Sequence, residues 1–137
     1  MKDKVFLDTN ILVYLYTNTE PFKKFKSGSV ILENRCFVST QSLNEFSNVC
    51  IRKLGFDKKL VLQAIEEICT VCNLIAIDIG TIKKSLALSD KYGYAYYDCL
   101  MLASAVDEGC SKFITEDMQN GQVIEDCLVI ENIFARR

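Results

Sequence analysis

Short apolar runs alternate with longer segments of helical periodicity along this 137-residue chain. Val5-Phe6-Leu7, Cys36-Phe37-Val38-Ser39, Leu74-Ile75-Ala76-Ile77, Lys112-Phe113-Ile114-Thr115 and Leu128-Val129-Ile130 have the length and composition of strands. Between them apolar residues recur three and four positions apart, the spacing of a helix with one buried face. Strands separated by helices predict an α/β fold: a three-layer α/β/α sandwich around a mainly parallel sheet. No repeat, low-complexity stretch or Pro/Gly-rich linker interrupts the pattern, and Pro21 is the one proline. A single domain over residues 1–137 is therefore expected. A chain of this length buries roughly two-thirds of the surface its unfolded form exposes, so it folds without disulfides or a structural metal.

The helical segments carry their own boundary signals. After Asp8-Thr9-Asn10, where Thr9 or Asn10 is available as N-cap, Ile11, Leu12, Leu15 and Tyr16 mark a first helix. Residues from about Phe22 to Asn34 read as a second, weakened by Ser27-Gly28-Ser29. Thr40, or a Ser42-x-x-Glu45 capping box, opens a third, with Leu43, Phe46, Val49, Cys50 and Leu54 on one face and Gly55 as its stop. Asp57 caps a fourth that buries Leu60, Ala64, Ile65 and Ile68. Ile82, Leu86 and Leu88 belong to a fifth ending near Gly93, and Tyr97 to Val106 is a sixth, apolar on nearly every side and hence central.

Composition excludes several chemistries. The chain has seven cysteines and no histidine. An odd number of thiols, with Cys36, Cys50, Cys99 and Cys127 among apolar neighbours, reads as buried free cysteine in a reducing cytoplasm. Cys69-x-x-Cys72 has no second pair at zinc-ribbon spacing. Without histidine there is no Ser-His-Asp or Cys-His relay. Hydrolysis then falls to carboxylates, lysine or metal-activated water. No run is long enough to span a membrane, and Met1-Lys2-Asp3-Lys4 leads directly into a strand without a secretory signal. A cytoplasmic location is expected.

The formal charge of −2 does not mark a nucleic-acid binder, but two divalent ions held by clustered acids would turn it positive. Basic residues also come in groups: Lys23, Lys24 and Lys26; Arg52 and Lys53; Lys58 and Lys59; Lys83 and Lys84; Arg136 and Arg137. Each group taken alone reads as a solvated helix face.

Four acids stand out by position. In open α/β sheets the ligand crevice lies beyond the carboxyl ends of the strands. Asp8 follows the first strand, and Asp117 follows Phe113-Ile114-Thr115. Asp98 sits in an otherwise apolar helix, and Glu45 sits near the start of another. Singly, each has an ordinary explanation: a turn residue, a loop residue, a helix cap, a capping-box partner. Together they would repel one another unless cations neutralised them. All-oxygen donors suit Mg²⁺ or Mn²⁺ rather than zinc. Such ions activate water and stabilise both sides of an in-line phosphoryl displacement.

Four segments resemble the motifs of the PIN domain, and specifically of VapC-like toxins from bacterial toxin–antitoxin pairs. These are Val5-Phe6-Leu7-Asp8-Thr9-Asn10-Ile11-Leu12, Ser39-Thr40-Gln41-Ser42-Leu43-Asn44-Glu45-Phe46, Tyr97-Asp98-Cys99-Leu100 through Ala105, and Thr115-Glu116-Asp117-Met118 with Gly121-Gln122 and Ile124. Cys99 departs from the small residue frequent at its position. The resemblance implies a metal-dependent endoribonuclease with Asp8, Glu45, Asp98 and Asp117 as its acidic quartet. It implies that Thr9, Asn10 and Thr115 orient ligands or phosphate, with Glu116 a lower-ranked extra ligand. It also implies RNA as substrate, a small antitoxin that blocks the groove with a basic side chain, and a homodimer. The rivals are a PIN nuclease of RNA processing without a toxin role, and a non-catalytic PIN binding module. Phospho-aspartate proteins fit less well: a receiver wants paired acids after an early strand, and a dehalogenase-like phosphatase wants a second Asp where Asn10 stands.

Overall fold

A computed structural model describes residues 2–135. The basic pair Arg136 and Arg137, and Met1, lie outside the described residues. The elements run β1 (Lys4–Leu7), α1 (Thr9–Leu15), α2 (Pro21–Glu33), β2 (Arg35–Ser39), α3 (Thr40–Arg52), α4 (Lys58–Val71), β3 (Asn73–Ile75), α5 (Ile79–Tyr92), α6 (Tyr96–Glu108), β4 (Lys112–Ile114), β5 (Val123–Ile124) and β6 (Leu128–Glu131). The strands form one sheet in the order β3-β2-β1-β4-β6-β5. Every pairing is parallel except β5 with β6.

Alternation across β1 and β2 divides the core between the two faces of the sheet. Val5, Leu7, Cys36 and Val38 point to one face, where they pack with Ile11, Leu12, Val30, Phe46, Val61 and Ile68 from α1 to α4. Phe6 and Phe37 point to the other, with Leu88 of α5, Met101 and Leu102 of α6, and Phe113 of β4. Phe6 and Phe113 stack there at 5.4 Å. The expected three-layer α/β/α arrangement is observed.

The parallel register decides where chemistry can sit. Leu7 pairs with Ile114, so the residues that follow, Asp8 and Thr115, emerge side by side from the carboxyl edge. The backbone N–H of Asp8 continues the ladder to the Ile114 carbonyl at 3.0 Å.

Several local expectations are corrected by tertiary context. Asp8 itself, rather than Thr9 or Asn10, is the N-cap of α1. The box that opens α3 joins Ser39 and Ser42, not Ser42 and Glu45, which leaves Glu45 free to face elsewhere. α2 runs unbroken through Ser27-Gly28-Ser29, and Ser29 folds its hydroxyl back onto the Phe25 carbonyl. β3 is an edge strand with Asn73 and Leu74 exposed, not a buried run, and it stops at Ile75. On α4, Val61 takes the buried place expected of Leu60, because Asp57 caps the helix and Val61 is in phase with Ala64 and Ile68. Leu54 is exposed at the end of α3. Cys127 is also exposed, in the turn between β5 and β6, whereas Cys36, Cys50 and Cys99 are buried as expected. No described helix is long and apolar enough to cross a membrane.

Candidate active site

Asp8 is the buried centre of a cluster at the carboxyl edge of the sheet. Its residue is 6% exposed, and its two carboxylate oxygens are separately engaged. Oδ1 accepts from the Thr9 backbone N–H at 2.7 Å, and Oδ2 accepts from the Thr115 hydroxyl at 2.7 Å. Burial nonetheless dominates these two bonds and pushes the Asp8 carboxyl from 3.8 up to about 6, with Asp98 and Asp117 adding repulsion.

The other three acids surround it. Glu45 projects from the second turn of α3 and is half-buried. The Thr9 hydroxyl donates to its Oε2 at 3.2 Å. Desolvation raises the Glu45 carboxyl, and Asp8 and Asp98 raise it further. Asp98 lies in the first turn of α6, where Ala95 occupies the N-cap position, so Asp98 is not the helix cap. It is half-buried, and desolvation followed by the charge of Asp117 raises its carboxyl. Asp117 is more exposed; its Oδ2 accepts from the Asn10 amide at 3.0 Å. Its backbone N–H donates to the Thr115 hydroxyl at 3.1 Å, so one threonine ties Asp8 and Asp117 together.

Asp8 and Asp98 therefore lie within electrostatic reach of each other, and Asp117 and Glu45 each lie within reach of both. Among the described residues none of the four is in a salt bridge. Gathering half-buried and exposed carboxylates around a buried one without a compensating cation is costly. Hard oxygen donors of this kind suit a magnesium- or manganese-sized ion. No three acidic or thiol side chains among the described residues close on a single point. An ion bound here would take one or two carboxylates at a time and complete its shell with water, as Mg²⁺ can.

Glu116 faces a different group. It accepts from Lys23 Nζ at 2.8 Å and from the Tyr14 hydroxyl. Three of the four supporting residues expected from sequence, Thr9, Asn10 and Thr115, thus bond directly to the quartet, while Glu116 is engaged with Lys23.

The PIN-domain family model matches residues 5–121, a span that begins on β1 and includes all four acids. The chain belongs to the PIN-domain family. Among solved structures, the PIN domain is similar to a toxin–antitoxin complex from Klebsiella pneumoniae, at 19% identity and a TM-score of 0.71 over 95% of this chain and 98% of that one. It is similar to VapBC2 from Rickettsia felis, at 18% identity and a TM-score of 0.68 over 94% and 98% of the two chains. It is also similar to the VapC20 toxin of Mycobacterium tuberculosis, described as cleaving the sarcin–ricin loop, at 14% identity and a TM-score of 0.62 over 80% and 86%. At these identities the likeness is one of fold. Among curated proteins none matches the sequence.

Lys23 and Tyr14 are the residues beside this PIN-domain site that motif reading passed over. Tyr14 lies one helical turn beyond Asn10 on α1, which places both on one face. That spacing is the signal in the sequence that could have found it. Lys23 carries no comparable local mark, because its partner is 93 residues away.

Proposed function

We propose that this PIN domain is a divalent-metal-dependent endoribonuclease that acts as the toxin of a toxin–antitoxin pair. The observation that carries the reading is the uncompensated carboxylate cluster: Asp8, Glu45, Asp98 and Asp117 at one edge of the sheet, with Asp8 buried and held at both oxygens. Acids whose carboxyls are raised by burial, with neighbouring acids adding to the shift, cluster at functional sites. A bound Mg²⁺ or Mn²⁺ would supply activated water and stabilise the charge that develops on the phosphoryl oxygens.

The chain's own residues prepare that chemistry. Asp8 is fixed at both oxygens, by the Thr9 N–H and the Thr115 hydroxyl. Thr9 orients Glu45, and Asn10 orients Asp117. Positioning groups of this kind hold ligands at the productive geometry before substrate arrives. The chain has no histidine, and among the described residues no lysine is paired with the quartet, so no cationic side chain stands beside the acids as a proton donor.

The toxin role, an antitoxin that docks a basic side chain on the acids, a homodimer and a cytoplasmic location go together in this reading. The similar folds are described as toxin–antitoxin assemblies. Exposed apolar residues on α2 (Phe22, Phe25, Leu32) and α5 (Ile79, Leu86) offer surface for such partners. The test is to incubate purified protein with bacterial RNA and Mg²⁺ or Mn²⁺ and map the new 5′ ends. Discrete ends with the wild type and none with Asp8→Asn support the reading. Identical patterns from both proteins reject it.

A further inference from the structure

Tyr14 of α1, Glu116 after β4 and Phe134 near the chain's end all meet the Lys23 ammonium of α2 beside the site. Lys23, in the first turn of α2, donates to Glu116 Oε2 at 2.8 Å and to the Tyr14 hydroxyl at 3.4 Å. It stands 5.2 Å from the Tyr14 ring centroid and 5.4 Å from that of Phe134. Those two rings meet edge to face at 5.5 Å. The Tyr14 hydroxyl in turn donates to the second Glu116 oxygen. The Lys23 and Glu116 side chains are 28% and 17% exposed, so salt screens this pair less than an ion pair in open water. Phe134 lies beyond the span that the family model matches, so part of this arrangement belongs to the chain's own C-terminal tail.

Glu116 and Asp117 are neighbours, yet they serve opposite sides of the turn after β4. Asp117 is turned to Asn10 and the acid cluster, and Glu116 to Lys23 and Tyr14. We propose that Lys23 is a positioning residue for Asp117: by fixing Glu116 away from the quartet, it locks the Thr115–Glu116–Asp117 turn in its working geometry. Asn10 and Thr115 hold Asp117 on the site side, and Glu116 needs a partner on the other side to stay out of it. Lys23 is that partner, because a charge-assisted bond to an ammonium that is itself held over two rings is stronger than the Asn10 amide bond available on the other side. Without Lys23, Glu116 keeps only a hydroxyl donor and sits beside four mutually repelling carboxylates. The turn then keeps only the Tyr14 hydroxyl on its outer side, and Asp117, still bonded to Asn10 and through its N–H to Thr115, is held less firmly. The inference rests on the proposed nuclease reading for what Asp117 does, but not for how the turn is held.

Two variants in the full chain test it. Lys23→Met keeps the aliphatic stem and removes the charge, and Lys23→Arg keeps the charge. In metal-free protein, the Asp117 amide, bonded to the Thr115 hydroxyl, should exchange its hydrogen faster in Lys23→Met than in wild type, while Lys23→Arg stays close to wild type. With RNA and Mn²⁺, Lys23→Met should lose about 10- to 100-fold in kcat, the usual effect of removing support from a metal ligand, with KM nearly unchanged. Adding Glu116→Gln to Lys23→Met should recover part of that loss, because the freed carboxylate is gone. Unchanged Asp117 exchange in Lys23→Met would overturn the proposal. So would a raised KM at constant kcat, which would make Lys23 a contact for RNA phosphate. A wild type that cleaves no RNA would sink the nuclease reading, and the exchange comparison would still decide the role of Lys23.

Discussion

The Thr115 hydroxyl donates to Asp8 Oδ2 at 2.7 Å and accepts from the Asp117 backbone N–H at 3.1 Å. One buried side chain therefore joins the carboxyl ends of β1 and β4 and sets the relative placement of two acids. Thr115→Val keeps the shape and deletes both bonds. It should cost about 1–3 kcal/mol of stability through the unpaired groups it leaves. It should also lower activity by about 10- to 100-fold. Urea unfolding and single-turnover cleavage measure the two effects; activity within twofold of wild type would remove Thr115 from the site's support.

Asp98 separates metal ligation from helix stability. It is in the first turn of α6 but makes no capping bond, so Asp98→Asn removes charge with little loss to the helix. The metal-free variant should be at least as stable as wild type, because one source of repulsion is gone, while activity falls by orders of magnitude. Thermal melts in EDTA and kcat with Mn²⁺ report both. Near wild-type turnover would exclude Asp98 from catalysis.

The raised Asp8 carboxyl gives the metal-free protein an unusual pH dependence. Its pKa is about 6 in the fold against 3.8 unfolded, so the folded state binds the proton more tightly. Stability is therefore lost as pH rises from near 4 through 6, by an amount on the order of 3 kcal/mol at 1.36 kcal/mol per unit. Glu45 and Asp98 are shifted in the same direction and add to the trend. Exposed Asp78 and half-buried Glu125 are shifted downward and oppose it. Comparing wild type with Asp8→Asn at each pH isolates the Asp8 contribution. In EDTA the variant should be more stable at pH 7, and the difference should shrink toward pH 4. A pH-independent difference would contradict the burial argument.

Much of this site was legible because strand-end and helix-start positions are set by short-range patterns. Asp8 and Asp117 follow apolar strand runs, and the carboxyl-edge rule for parallel sheets brings them together. Asp98 is conspicuous as a charge within an apolar helix. What local patterns cannot show is which of two satisfactory partners a side chain takes. Glu45 fits a capping box with Ser42, but Ser39 claims Ser42, and Glu45 bonds Thr9 instead. Sequence ranks Asp117 above Glu116, but the partners that separate them, Asn10 and Lys23, arrive from other elements. The β5–β6 hairpin escaped notice because Glu125 and Asp126 adopt positive φ without the usual Asn-Gly signal. Tyr92 and Lys91 hold Glu125 there through its backbone N–H and carboxylate.

The toxin role is tested in cells. Inducing the protein alone in a bacterium should halt growth, and Asp8→Asn, which keeps the cap and the shape but removes the charge, should not. Co-expressing a small open reading frame encoded beside the gene should restore growth. Its product should bind less tightly when the basic residue that faces the acids is changed to alanine, since charge-assisted bonds to the carboxylates are lost. Normal growth with abundant soluble wild-type protein would favour a nuclease of RNA processing without a toxin role.

The most direct test of the acid cluster as a metal-dependent nuclease site is RNA cleavage under metal control. Protein stripped with EDTA should cleave no end-labelled RNA, and adding Mg²⁺ or Mn²⁺ should restore cleavage. The same titration should raise the melting temperature, with about 2.7 kcal/mol gained at 100 times the dissociation constant. Asp8→Asn should show neither response. Cleavage undiminished after EDTA and exhaustive dialysis would contradict the account.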